Sequence, residues 1–145
     1  MSTVHVVALG GSLLRPEEAS ARTMWMGQLR QLMVHLEGNG RRIGLVVGGG
    51  LPAREGIGLA REIIHDSEKL DRIGIAGTRL NATVLQQLLL DIGCDVAPAV
   101  PHTIEAARLL LEDPRGRGRE RARREDAHHG RLLMREGTRR RDFLF

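Results

Sequence analysis

The chain has 145 residues, 41% hydrophobic and 28% charged, enough for one domain with a sizeable core. Trp25, Phe143 and Phe145 are its whole aromatic complement, so that core must be aliphatic, and a single cysteine, Cys94, excludes an internal disulfide and fits a reducing, cytoplasmic setting. The opening MSTVHVVALGGSLL lacks the basic start and long apolar run of a leader, and nothing approaches the roughly 18 apolar residues of a membrane span, so a soluble chain is expected.

The elements are read in chain order. TVHVVAL (3–9), β-branched and apolar, predicts a buried strand closed by the turn GGS (10–12). Pro16, Glu17 and Glu18 predict a helix start, and Trp25, Leu29, Leu32, Met33 and Leu36 follow at helical spacing until Gly38 and Gly40. RIGLVV (42–47) predicts a second buried strand, ended by GGG (48–50). Pro52 opens a second helix with Ala53, Ile57, Ala60 and Ile64 along one stripe. The segment 71–93 predicts a third helix, with Ile73, Leu80, Val84 and Leu88 on one face and Leu85, Leu89 and Ile92 beside it. CDVAPAV (94–100) is expected as a short third strand and PHTIEAARLLLE (101–112) as a last helix. This alternation predicts an α/β domain around a mostly parallel sheet.

Charge divides the chain at residue 113. Residues 113–145 contain 11 Arg against 6 Asp and Glu, which leaves 11 basic and 12 acidic residues for 1–112. The sequence is therefore read as a folded part, 1–112, and an Arg-rich tail, 113–145, whose composition suits a disordered, solvated segment. An Arg-rich tail is also able to bind phosphate backbones, so nucleic acid stands as an alternative partner through the tail alone.

Two of the three predicted strands end in glycine clusters. In parallel α/β sheets ligands sit beyond the carboxyl ends of the strands, where glycines let backbone amides approach closely and the next helix start favours negative charge. Two such turns on one sheet edge suggest a polyanion reaching from one to the other, with Arg54 offering a guanidinium to it. Neither turn is followed by the Gly-Lys-Ser/Thr of a Walker A loop. GGGLPA satisfies the loose dinucleotide form G-x-G-x-x-A, and Asp66, Glu68 and Asp71 lie near the distance of its ribose-binding acid, but no apolar strand precedes them. Cys94 reads as a small buried hydrophobe, His5 as a partly exposed strand residue, His65 as a helix-end residue, and His128-His129 as a pair without further metal ligands.

The combination ALGGSLL, LVVGGGLPARE and LDRIGIAGTRLNATVL resembles the N-terminal part of the amino acid kinase superfamily, and more narrowly the archaeal-type UMP (uridylate) kinases. The likeness runs from about Val4 to Leu111, its most specific phrase being D-x-x-G-I-x-x-T-R-x-N-A, Asp71 to Ala82. The resemblance implies a three-layer αβα fold, C-terminally truncated, and transfer of the γ-phosphoryl of MgATP to UMP. It implies that Gly11 and Ser12 hold the ATP phosphates, with Gly50 on the ATP side. Gly49 would approach the UMP phosphate, Asp71 would bind the UMP ribose, and Arg54 would neutralise phosphate charge between donor and acceptor as the catalytic group. Thr78, Arg79 and Asn81 match the motif, with helix packing or a subunit interface as their expected role. ATP and Mg²⁺ are the implied cofactors, UMP and ATP the implied ligands, and a hexamer built from dimers the implied assembly. No protein ligand to the metal is assigned.

Two departures qualify this expectation. Ala8 stands where many relatives carry a lysine, although archaeal-type members often lack it too, and the only lysine, Lys69, lies elsewhere. After Glu112 the Gly/Thr-rich continuation that would complete the UMP site is missing, so the chain is expected to be inactive alone, and residues 113–145 are read as out-of-frame translation of GC-rich coding DNA. The alternative function is a non-catalytic nucleotide- or anion-binding module with a nucleic-acid-binding tail. A Rossmann-type cofactor domain is the third reading.

Overall fold

A computed structural model describes residues 3–14 and 18–112. The chain divides into two compact units, Met1–Val96 and Ala97–Phe145. In the first, β1 (Val4–Leu9) leads through a single 3-10 turn, Gly11–Leu14, to helix α1 (Ala19–Gly38). Strand β2 (Arg42–Val47), α2 (Gly50–Ala60) and α3 (Ser67–Asp91) follow. β1 and β2 pair in parallel from Val4↔Arg42 to Leu9↔Val47, with α1 supplying the crossover that a parallel pair requires.

Both long helices end for a local reason. At α1 the N–H of Gly40 donates to Glu37 O (2.9 Å) and that of Arg41 to Leu36 O (2.9 Å). At α3 Gly93 and Cys94 repeat the pattern onto Leu90 and Leu89. Each closure requires a left-handed residue, which glycine supplies at φ +65° (Gly40) and +82° (Gly93). The start of α3 is capped by Asp66, whose Oδ1 accepts the N–H of Glu68 at 3.0 Å.

One apolar cluster gathers Leu29 and Met33 of α1, Val47 of β2, Leu85 and Leu89 of α3, and Cys94, with Leu9, Leu45 and Trp25 packed against it. It is aliphatic, as the composition required. Leu45 and Val47 lie two apart on β2 and so share one sheet face, next to Leu9, the register partner of Val47. The opposite face carries Val4, Val6 and Ala8, and Val6 is 65% exposed.

Several expectations need correction. The strand at 3–9, expected to be buried, contains no buried residue, and Val4, Val6 and Val7 are exposed. Residues 94–100 form no strand, so the described sheet has two strands. The Cys94 N–H is used in closing α3, Pro98 has no N–H to give a ladder, and Pro101 restricts Val100. On α3 the face bearing Leu80, Val84 and Leu88 is exposed (50%, 39% and 40%), and the core takes the neighbouring stripe of Leu85 and Leu89. On α1 Leu32 is likewise exposed while Leu29 and Met33 are buried. A helix with two apolar stripes can turn only one of them to the sheet. The start of α1 is set by Glu18 as N-cap; Pro16 and Glu17 lie outside the described residues. Helix α2 begins two residues before Pro52, which falls in the first turn, where its missing N–H is not needed.

In the second unit α4 (Ile104–Glu112) stands where the last helix was expected. The Thr103 hydroxyl oxygen caps it, accepting the N–H of Ala106 at 3.0 Å. Arg108 reaches Glu105 (2.6 Å) and Glu112 (2.7 Å) on either side of it. Those two carboxylates raise the Arg108 pKa, and hydrogen bonding from Arg108 lowers that of Glu105. Residues 113–145, including His128 and His129, lie outside the described residues.

Candidate functional site

The two glycine turns meet. After the last sheet pair the N–H of Gly48 donates to Leu9 O (2.9 Å), which carries the strand pairing into the turns. Gly11 is buried against the second turn: a Cβ on it would stand 2.5 Å from Gly48 O, 2.5 Å from Gly50 N and 2.7 Å from Gly50 Cα. Gly50 has φ +53°, and a Cβ there would lie 2.8 Å from Gly11 C. Any side chain at either position would force the turns apart, so the glycines are needed both for conformation and for approach. The adjacent positions of GGS and GGG at the carboxyl ends of β1 and β2 are as the sequence suggested.

Helix α3 supports this rim from below. A Cβ on Gly49 would meet Ala53 Cβ at 2.6 Å and Thr78 Oγ1 at 2.8 Å, and one on Gly77 would meet the Ala53 backbone at 2.6 Å. Farther along, Gly56 lies over Ile73 and Gly74 over Ile57, so α2 and α3 run antiparallel in close contact. Asn81 is 1% exposed, and its Nδ2 donates to Gly48 O and to Gly49 O, each at 2.9 Å. Since both partners are carbonyls, the amide nitrogen must face them. Asn81 is thus tied to the turn itself, in place of the helix packing or subunit contact expected from the motif. A signal was present in the sequence: Gly77, Asn81, Leu85 and Leu89 form one i, i+4 stripe, on which a mid-helix asparagine is out of character unless its side chain is employed.

The other candidates fall around the rim at different distances. Ser12 is exposed in the 3-10 turn, one residue after the buried Gly11. Arg54 is exposed on α2, next in sequence to Ala53, which packs on Gly77. Asp71 is exposed on α3, seven residues before Thr78, or about 10 Å along a helix axis. The structure therefore brings Gly11, Gly49 and Gly50 together, with Ser12 and Arg54 beside them in sequence, and leaves Asp71 two turns down α3. Asp66 and Glu68 lie at the cap and in the first turn of α3 with no strand before them, which removes the strand-end acid a dinucleotide fold would need. Ala8 is exposed on the open sheet face, and Lys69 faces its own cap residue Asp66 at 3.9 Å.

Chemically, such a rim offers backbone N–H donors, the positive end of α2 and a nearby guanidinium, a combination suited to phosphoryl oxygens. Among the described residues no group of three or more His, Cys, Asp or Glu comes together as a metal site. No helix among them is long and apolar enough to cross a membrane.

Comparison with known proteins bears on the same segment. Residues 3–136 match the Amino acid kinase family. Over 106 residues the chain is 41% identical to the uridylate kinase of Methanococcus maripaludis strain C7, covering 73% of this chain and 45% of that protein. The uridylate kinase of Halorubrum lacusprofundi is 38% identical over 104 residues, covering 72% of this chain and 42% of that one. That of Thermoplasma volcanium is 34% identical over 115 residues, covering 79% and 47%. The chain thus spans a little under half the length of these relatives. With the matched family covering nearly all of its length, and the two glycine turns meeting at one edge of a parallel sheet, the chain belongs to the amino acid kinase family.

Proposed function

We propose that residues 1–112 form the acceptor-side half of a UMP kinase, in which the γ-phosphoryl of ATP passes to a phosphate oxygen of UMP, giving ADP and UDP. The observation that supports this reading is the close packing of Gly11 on Gly50, which brings the two turns side by side. In this reading the amides around Gly11, Ser12 and Gly50 hold the ATP phosphates, and Gly49 approaches that of UMP. Arg54 balances charge between them as the bond to the bridging oxygen breaks. Asp71, lying farther along α3, would take the ribose hydroxyls. Such transfer depends on positioning and charge stabilisation more than on covalent help from the protein, which suits a site made of amides and one arginine. Mg²⁺ would arrive with ATP and offset phosphate charge; among the described residues no set of carboxylates comes together to hold it.

The residues of the relatives that have no counterpart here are proposed to complete the site, so this chain binds nucleotide without turnover. A hexameric assembly and a cytoplasmic location belong to the same proposal. Residues 113–145 are proposed to be an out-of-frame segment, a reading that the family match, running on to residue 136, does not favour. Reading the gene in its other frames downstream of codon 112 tests this, and the absence of any Gly/Thr-rich continuation would reject it.

Calorimetry with UMP, ATP and NAD tests the functional reading. UMP and ATP are expected to bind, and Arg54→Ala to weaken that binding roughly ten- to a hundred-fold, the worth of a charge-assisted hydrogen bond, with stability unchanged. Binding of NAD alone would overturn the reading. A coupled ADP-release assay is expected to show no UDP formation, and turnover at ordinary kinase rates would show the remaining half to be dispensable.

A further inference from the structure

We infer that Asn81 is a positioning residue of the phosphate site, holding two successive peptide planes so that the N–H groups of Gly49 and Gly50 point away from α3 and toward bound phosphate. This rests on the functional reading above. In a trans peptide the carbonyl of one residue and the N–H of the next point in opposite directions, and the described chain has no cis peptide. The Asn81 amide draws both Gly48 O and Gly49 O toward α3 at 2.9 Å. The N–H of Gly49 and the N–H of Gly50 must then face the other side of the turn. Among the described residues neither N–H donates a hydrogen bond.

Among the described residues nothing else is placed to do this. Gly49 O also accepts the N–H of Ala53, but at 3.3 Å, and Gly48 O has no second donor among the described residues. The Thr78 hydroxyl, although packed against Gly49, donates to Gly74 O within its own helix. Glycine turns are the most mobile backbone a chain can have, so a preorganised pair of donors needs an external clamp. A rigid, buried side chain with two N–H groups is the smallest device that can hold two adjacent carbonyls.

Two measurements test the inference. Asn81→Leu keeps nearly the same volume and removes both donors. It is expected to fold, and to bind UMP and ATP at least about ten-fold more weakly, the effect of losing two hydrogen bonds. Equal affinity in a folded Asn81→Leu chain would overturn the inference. In case that variant fails to fold, the unsubstituted chain is labelled with ¹⁵N and titrated with UMP and with ATP. The Asn81 side-chain amide is expected to be protected from solvent exchange and to shift together with the Gly49 and Gly50 backbone amides, while the Leu89 amide stays still. Shifts at Gly49 and Gly50 with the Asn81 amide unmoved would overturn the positioning role and leave the functional reading standing. No shift at either glycine with either nucleotide would overturn the functional reading and this inference with it.

Discussion

Between Gly74 and Asn81, α3 lies against α2 and the Gly48–Gly50 turn through glycine backbone, the Thr78 hydroxyl and the Asn81 amide. Between Leu85 and Leu89 the same helix drives large aliphatic groups into the cluster under the sheet. The two halves teach different lessons about tolerance. In the aliphatic half, stability follows volume, and neighbouring groups relax partly into any gap. In the glycine half there is no volume to lose, only backbone that a new methyl would displace, and the displaced backbone is the candidate site. The first half should therefore govern how stable the protein is, and the second how well the rim is formed.

The sharpest way to break that contrast is a pair of adjacent leucines. Leu89→Ala, at a side chain 2% exposed, is expected to lower unfolding free energy by about 3 kcal/mol in urea titrations and to leave nucleotide affinity nearly unchanged under native conditions. Leu88→Ala, on the exposed stripe, is expected to change stability by less than about 0.5 kcal/mol. Equal losses at both positions would mean that the exposed stripe is covered.

A smaller loss of stability is expected from Gly77→Ala. The added methyl would meet the Ala53 backbone at 2.6 Å, so overpacking of about 2 kcal/mol works against a helix-propensity gain of about 1 kcal/mol. Unlike Leu89→Ala, this change should also weaken UMP and ATP binding, because moving Ala53 moves Gly49. Normal affinity in calorimetry would separate the helix contact from the rim.

Cys94 probes the aliphatic half without a substitution. Burial raises its thiol pKa above the ordinary value, Glu37 adds to that rise, and Arg30 opposes it. At neutral pH it should react with Ellman's reagent far more slowly in the folded chain than in denaturant. Because the folded state holds this proton more tightly, the thiol's contribution is full at lower pH and declines as pH rises above the ordinary thiol range. Fast labelling in the native state would show that the cluster opens readily.

The smallest effect belongs to α4. Hydrogen bonding from Arg108 holds the Glu105 carboxyl below the ordinary glutamate range, so the pair should persist at neutral pH and be lost as pH falls through that depressed value. Both groups are exposed, so the stabilisation is slight and screened by salt. A carboxyl-carbon NMR titration should find the depressed midpoint, and Arg108→Ala should return it to the usual range.

Much of this architecture was legible from local pattern. The β-branched runs at 4–9 and 42–47, the glycine closure of α1, and the helical spacing of α2 and α3 each rest on forces acting within a few residues. The pairing of the glycine turns was legible too, since parallel strands joined by a helix place their carboxyl ends side by side. The failed third strand shows the limit: CDVAPAV has strand-like composition, but a strand exists only where a neighbour accepts its ladder, and here the first N–H was already taken by the helix before it.

What the sequence by itself determined was the two paired strands, the four helices, their order, and the edge at which two glycine-rich turns would lie. Only the tertiary structure decided which stripe of α3 turned inward, and with it what Asn81 was for. Two amphipathic alternatives on one helix differ little in local energy. Contact with the sheet and with α2 chose the stripe that puts glycine, asparagine and leucine in line, a choice that depends on chain far away in sequence.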